Sequence, residues 1–177
     1  MAQGRSAATT IGAMVTSRWK PSVTVAAIVE REGRYLLVEE QTGDGLRLNN
    51  PAGHLEPGES PLQAVIREML EETACRFVPT ALVGVYLSRH QRPASGEDVT
   101  FLRLAYTGTA DPPEPGRALD REIVRTLWLS VDELRACPER HRSPLLMRCV
   151  DDHRAGRRFP LELVSADASV YLPPLEG

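Results

Sequence analysis

Glu59, Arg67, Glu68, Glu71 and Glu72 stand close together in the chain and carry the residue types that hold metals and move protons. Glu68, Glu71 and Glu72 fall at i, i+3 and i+4, so a helix places all three carboxylates on one side. An isolated helix resists this. Like charges at those spacings repel by roughly 0.2–0.5 kcal/mol per pair, and acids near a helix C-terminus oppose the macrodipole by roughly 0.3–1 kcal/mol each. A chain that accepts these costs is expected to bring a cation to the acids. A hard divalent ion such as Mg²⁺ takes carboxylate and phosphate oxygens together, which points to phosphate chemistry. Mn²⁺ suits the same donors.

The helix carrying these acids has clear start signals. Ser60 is a natural N-cap, Pro61 suits the first helical position, and Gln63 completes a capping box. Leu62, Val65, Ile66, Met69 and Leu70 then recur at helical spacing, giving an apolar face to lie on a sheet. Upstream, Val23 to Val29 reads as a strand, Glu30-Arg31-Glu32-Gly33 as a tight turn and Arg34 to Glu39 as the returning strand. Leu46 to Asn50 is a short extended piece. Downstream, Ala81 to Leu87, Val99 to Thr107 and Ile123 to Leu129 read as strands, with Ser88 to Asp98 a polar loop between the first two. Ser130-Val131-Asp132-Glu133 opens a short helix with a second capping box, and Ser143-Pro144 opens a last helix ending near Arg154 to Arg158. Short strands with a few interposed helices predict an α+β fold.

The chain has 177 residues and a net charge of −3, so one domain without broad attraction to nucleic acid or anionic membranes is expected. Cys75, Cys137 and Cys149 are odd in number and show no Cys-x-x-Cys spacing. They read as small core residues in a reducing, cytoplasmic protein. No apolar run approaches the roughly 20 residues that span a bilayer. Residues 1–19 are expected to be a flexible tail, residues 20–164 the domain, and residues 165–177 a C-terminal tail.

Residues 53–75 resemble the signature box of the Nudix hydrolases, Gly-x5-Glu-x7-Arg-Glu-U-x-Glu-Glu-x-Gly-U, with U a bulky aliphatic residue. Gly53, Glu59, Arg67, Glu68, Met69, Glu71 and Glu72 match, and Cys75 is an acceptable apolar residue at the last position. Ala74 departs from the pattern by standing where the family has glycine. If its φ is positive, alanine costs roughly 1 kcal/mol there. The flanks, among them Asn50-Pro51-Ala52-Gly53-His54, Phe101-Leu102-Arg103, Trp128-Leu129-Ser130 and Arg142-Ser143-Pro144-Leu145, are similar to the NudJ-type phosphatases of that family.

The resemblance implies an α/β/α sandwich with a mixed sheet and a catalytic loop-helix-loop. It also implies hydrolysis of nucleoside tri- and diphosphates, or of related small-molecule diphosphates such as that of the thiamine pyrimidine precursor, with release of phosphate. A monomer or homodimer acting on a small-molecule substrate is expected. The alternatives are pyrophosphatase activity on ADP-ribose or dinucleoside polyphosphates, and a ligand-binding domain without catalysis.

Within that frame Glu68, Glu71 and Glu72 are the candidate metal ligands, joined by a backbone carbonyl at Ala52 or Gly53. Arg67 and Glu59 form the orienting pair. Glu68 is the first candidate for general base, and Glu122 the alternative unless it is simply a surface acid. Arg103, mid-strand, is either a charged fork for the substrate phosphate or an arginine facing solvent or an acid. Arg89, His90 and Arg92 cover the phosphates or form a solvated basic loop. Asn49 and Asn50 contact substrate, orient the metal loop or serve a turn. His54 reads as structural or supporting.

Overall fold

The computed structural model describes residues 18–92 and 96–173. Its eight strands are β1 (Ser22–Ile28), β2 (Glu30–Arg31), β3 (Arg34–Thr42), β4 (Gly45–Asn49), β5 (Ala52–His54), β6 (Phe77–Arg92), β7 (Glu97–Ala110) and β8 (Ile123–Ser130). The α-helices are α1 (Pro61–Thr73), α2 (Val131–Arg135) and α3 (Leu145–Arg154). One mixed sheet runs β5-β1-β7-β6, with β1 and β7 parallel and the remaining pairs antiparallel. The second sheet is centred on β3, which pairs with β2, β4 and β8, all antiparallel.

The apolar run of β1 explains the layering. A strand sends alternate side chains to opposite faces, so a strand apolar throughout needs cover on both. Val25 and Ala27 join a core with Ala64, Val65 and Met69 of α1. Ala26 and Ile28 join a second core with Leu134 of α2 and Leu146, Cys149 and Val150 of α3. The result is an α+β fold of the α/β/α sandwich type. Cys75 and Cys149 are buried, one in each core, and all three cysteines are free. Among the described residues, no helix is long and apolar enough to cross a membrane.

Both capping boxes form. Ser60 N–H donates to Gln63 Oε1 at 2.8 Å and Ser60 Oγ accepts from Gln63 N–H at 3.3 Å. Ser130 and Glu133 repeat the arrangement on α2 at 2.7 and 3.2 Å.

The segment expected to be a polar loop, Ser88 to Asp98, is mostly sheet. β6 continues to Arg92 and β7 begins at Glu97, pairing Arg89 with Thr100, His90 with Val99 and Gln91 with Asp98. A hairpin arm wetted on both faces has no apolar alternation, so periodicity does not reveal it. Arg89 and Asp98 hold the two strands together by an ion pair. Residues 1–17 of the expected N-terminal tail lie outside the described residues, as do residues 174–177. Ala168–Tyr171, in the stretch read as a C-terminal tail, forms a 3-10 turn.

Candidate active site

Helix α1 lays its apolar face on the sheet and turns its acids toward β5 and the segment leading to β8. Glu68 and Glu72 are buried, at 7 and 8% exposure. The Ala52 N–H donates to Glu72 Oε2 at 2.8 Å. Burial pushes the Glu72 pKa up to about 8, with Glu68, Glu40 and Asp120 adding to the rise by charge repulsion. Burial also raises Glu68, and Arg67 opposes the shift.

Gly53 is required by this packing. A Cβ there would lie 2.1–2.2 Å from the Glu68 carboxylate, well inside van der Waals contact, so the carboxylate keeps this position only against a bare backbone.

Arg67 braces the acids. Its Nε and Nη2 donate to the two Glu59 oxygens at 3.1 and 2.8 Å. Nη1 donates to Glu68 Oε1 at 2.7 Å and Glu71 Oε2 at 3.0 Å, and Nη2 also donates to the His54 carbonyl at 3.0 Å. Glu59 in turn accepts from the Glu56 N–H at 2.8 Å. A planar guanidinium with five donors suits such a hub, and lysine would not replace it. The Glu59 carboxyl is held below its usual range, first by Arg67.

These residues line one wall of a cleft of about 500 Å³. The remaining walls come from distant parts of the chain. β3 supplies Glu40, β4 supplies Asn49, β7 supplies Arg103, the loop before β8 supplies Asp120 and Glu122, and Arg142 precedes α3. Glu40 is buried and its carboxyl raised, foremost by desolvation.

Among the described residues, no three acidic, histidine or cysteine side chains stand gathered tightly enough to enclose an ion. Arg67 draws Glu68 and Glu71 to itself, and the Ala52 N–H holds Glu72. The donor chemistry nevertheless fits a hard divalent cation. Buried carboxylates repel one another here, and the glycine-cleared backbone lies against Glu68.

The NUDIX domain model matches residues 19–148. The chain belongs to the Nudix hydrolase family. The curated relatives include Phosphatase NudJ of Escherichia coli K12, 34% identical over 146 residues covering 82% of this chain and 92% of the relative. Among solved structures, a NUDIX hydrolase from Nitrosomonas europaea is 47% identical with a TM-score of 0.77, covering 84% of this chain and 98% of that one. A MutT NUDIX hydrolase from Burkholderia pseudomallei shares the fold at 21% identity, with a TM-score of 0.61 over 76% of this chain and 98% of that one. The protein is therefore a Nudix hydrolase, an enzyme of phosphoanhydride bonds.

In this Nudix hydrolase Arg67 binds Glu59, Glu68 and Glu71, while the Ala52 N–H holds Glu72 beside them next to Gly53. Glu122 is exposed at the rim of the cleft. Arg103 faces neither solvent nor an acid at ion-pair distance. It is 8% exposed, and no hydrogen bond reaches its Nε or Nη1. Arg89 lines the cleft from strand β6, not from a loop, and is engaged by Asp98. Asn50 is 1% exposed and does not line the cleft, whereas Asn49 does. His54 Nδ1 lies 3.1 Å from Ser22 Oγ, and its ring stands beside Phe101.

Glu40, Asp120 and Arg142 are the site residues that sequence reasoning did not single out. Their only signal was indirect: Glu40 and Arg142 fall in flanks that resemble the family, and Asp120 adjoins Glu122. Ala74 caps α1 at φ 57° and ψ 13°, the left-handed conformation that the family's glycine would adopt without strain.

Proposed function

We propose that this enzyme hydrolyses the phosphoanhydride linkage of nucleoside tri- and diphosphates, or of related small-molecule diphosphates, with release of phosphate and dependence on Mg²⁺. The observation carrying this reading is the buried Glu68 and Glu72 pair, raised in pKa, beside the Gly53 backbone and braced by Arg67. The similarity to a relative named as a phosphatase supports phosphate as the product.

Glu68, Glu71 and Glu72, with a carbonyl of Ala52 or Gly53, would hold the ion. When bound, Mg²⁺ neutralises charge on phosphate oxygens and acidifies water. The protein does the rest. A water oxygen forms a bond to phosphorus while the bond from phosphorus to the bridging oxygen breaks. Glu68 takes the proton from that water, and burial raises its affinity for that proton while Arg67 opposes the rise. Glu122 at the rim is the alternative base. Arg67 and Glu59 fix the direction of Glu68, since a misplacement of about 1 Å can cost roughly 10²-fold in rate. Arg103, Asn50 and Arg89 are the candidates to meet substrate. Of these, Arg103 and Arg89 line the cleft.

We assign the catalytic unit to residues 20–164 and its location to the cytoplasm, where three free cysteines persist. The test is incubation with Mg²⁺ and a panel of NTPs, NDPs, ADP-ribose and the thiamine pyrimidine diphosphate, with phosphate and pyrophosphate quantified separately. Phosphate release abolished by Glu72→Gln supports the reading. AMP from ADP-ribose, or pyrophosphate alone, overturns the substrate assignment.

A further inference from the structure

The box acids occupy one wall of the cleft, and the opposite wall mixes unpaired donors with unpaired acceptors. Arg103 lies across from Thr24 on β1 and Tyr86 on β6, on the sheet face that α3 covers. Its guanidinium is almost wholly buried, with Nε and Nη1 lacking any partner. Three neighbours lining the same cleft share that condition: Thr24 Oγ1, Glu40 Oε1 and Asn49 Oδ1 are buried without a hydrogen bond. Native folds pair almost all such atoms, because each unmade bond costs roughly 1–3 kcal/mol. Several gathered on one cleft wall indicate a ligand that completes them.

The mixture of types says which ligand. Arg103 only donates, whereas a carboxylate and an amide oxygen accept. A phosphate oxygen at near-neutral pH accepts and carries negative charge. It would satisfy Arg103 but leave Asn49 Oδ1 unpaired and face the carboxyl of Glu40. Arg142 pairs with that carboxyl only as a long ion pair, its Nε standing 3.9 Å from Glu40 Oε1 without a hydrogen bond. A nitrogen heterocycle carrying an amino group presents acceptors and donors side by side and suits all of these atoms.

We propose that this wall, Arg103 with Asn49, Glu40 and Thr24, binds the amino-bearing heterocycle of the substrate. Ring nitrogen or carbonyl acceptors face Arg103, and the exocyclic amino group donates to Asn49 Oδ1 and Glu40. The inference rests on the proposed diphosphate substrate and adds which end of it enters here. Arg103 becomes a reader of the organic group instead of a phosphate fork. The cleft volume is in the range that holds small-molecule ligands.

Cytidine and uridine provide the test, because they share a ribose and differ where cytosine has an amino group and uracil a carbonyl. Neither carries phosphate, so binding is read without turnover. NMR titration of the full chain should show cytidine perturbing Thr24, Asn49 and Arg103 signals and binding about 10- to 100-fold more tightly than uridine. Asn49→Ala should bring the two affinities within about twofold of each other, the scale of a lost specific contact. Arg103→Gln should weaken cytidine binding about 10-fold or more. Because Arg103 is buried, its folding is checked on the same spectra, and Asn49→Ala carries the test if it fails. Equal affinities in the wild type, no cytidine binding, or perturbations confined to the β6–β7 arm overturn the proposal. Cytidine binding at this wall in a protein that hydrolyses no nucleotide would sink the proposed function and leave this inference standing.

Discussion

Gly53→Ala isolates the link between packing and catalysis. Gly53 is not among the positive-φ glycines, so alanine brings no backbone strain of its own. What it brings is a methyl group 2.1 Å from Glu68 Cδ and 2.2 Å from each carboxylate oxygen. Normal contact distances are about 3.5–4.0 Å between carbon atoms, so the carboxylate must retreat by more than about 1 Å. That retreat breaks the 2.7 Å bond from Arg67 Nη1 to Glu68 Oε1. A hydrogen bond between charged groups is worth roughly 1.5–3 kcal/mol, but Arg67 keeps Glu59, Glu71 and the His54 carbonyl, so the loss of stability should sit at the low end of that range. Activity is less forgiving, since a 1 Å displacement of a catalytic group costs about 10²-fold. The assay is phosphate release at saturating Mg²⁺, with thermal unfolding followed by circular dichroism on the same samples. The expected result is a kcat lower by about 10²-fold or more and a Tm lowered by only a few degrees, roughly 2–8 °C. A variant with wild-type kcat would mean that Glu68 works from a position other than the one Gly53 clears.

Further outcomes follow from the same geometry. Glu72→Gln keeps an oxygen for the Ala52 N–H and removes a buried carboxylate whose pKa is pushed to about 8. Without metal, this variant should be more stable than the wild type near pH 8, by roughly 1–3 kcal/mol, while losing at least about 10²-fold in kcat. Chemical denaturation and phosphate release measure the two effects, and a destabilised variant would contradict the burial argument. Ala74→Gly relieves roughly 1–2 kcal/mol of left-handed strain and gives back about 0.4–1 kcal/mol through the freer unfolded chain, so Tm should rise slightly or stay level. A clear fall would refute the strain. His153 accepts from Arg158 at Nε2 and meets the Tyr35 hydroxyl at Nδ1, and burial with Arg158 lowers its pKa from 6.5 to about 4. The folded state thus binds the proton less readily than the unfolded state. Its contribution is complete above pH 6.5 and is lost as pH falls toward 4, by about 1–2 kcal/mol after allowing for its half-exposed setting. The comparison of wild type with His153→Gln between pH 7 and 5 should show this slope only in the wild type.

How much of this was legible in the chain depended on sequence distance. The box cluster is local: Glu59, Arg67, Glu68, Glu71 and Glu72 belong to one helix and the loop before it, so helical spacing and the adjoining turn bring them together. The opposite wall is not local. Glu40, Asn49, Arg103, Asp120 and Arg142 meet only after two sheets are stacked and α3 is docked, and no short-range pattern encodes that. Strand alternation adds a finer obstacle. Glu39 and Glu40 are adjacent and chemically identical, yet Glu39 is taken by Arg125 and Arg140 while Glu40 turns into the cleft. Asn49 and Asn50 divide in the same way, and only Asn49 reaches the cleft. Period 2 divides the glutamates on β3 and Asn50 lies past the end of β4, but which member faces inward depends on register, which tertiary pairing sets.

Ala74 shows the opposite case, where sequence alone exposed a local conflict that the fold retains. Thirteen residues of helix end at a residue held at φ 57° although it has a Cβ. Its N–H still closes onto the Leu70 carbonyl at 3.1 Å, and its own carbonyl accepts from Glu114 N–H at 2.8 Å. Those two bonds tie the helix exit to the segment that runs on to Asp120, whose N–H donates to the Glu71 carbonyl at 3.0 Å. The strained cap therefore lies on the path that brings Asp120 beside the box acids. Relief by glycine would ease the backbone without cutting either bond, which is why Ala74→Gly is expected to leave kcat within about twofold of the wild type, the range of substitutions that touch no reacting group. A large change in kcat with an unchanged Tm would mean that the alanine methyl, and not the backbone conformation, positions this exit.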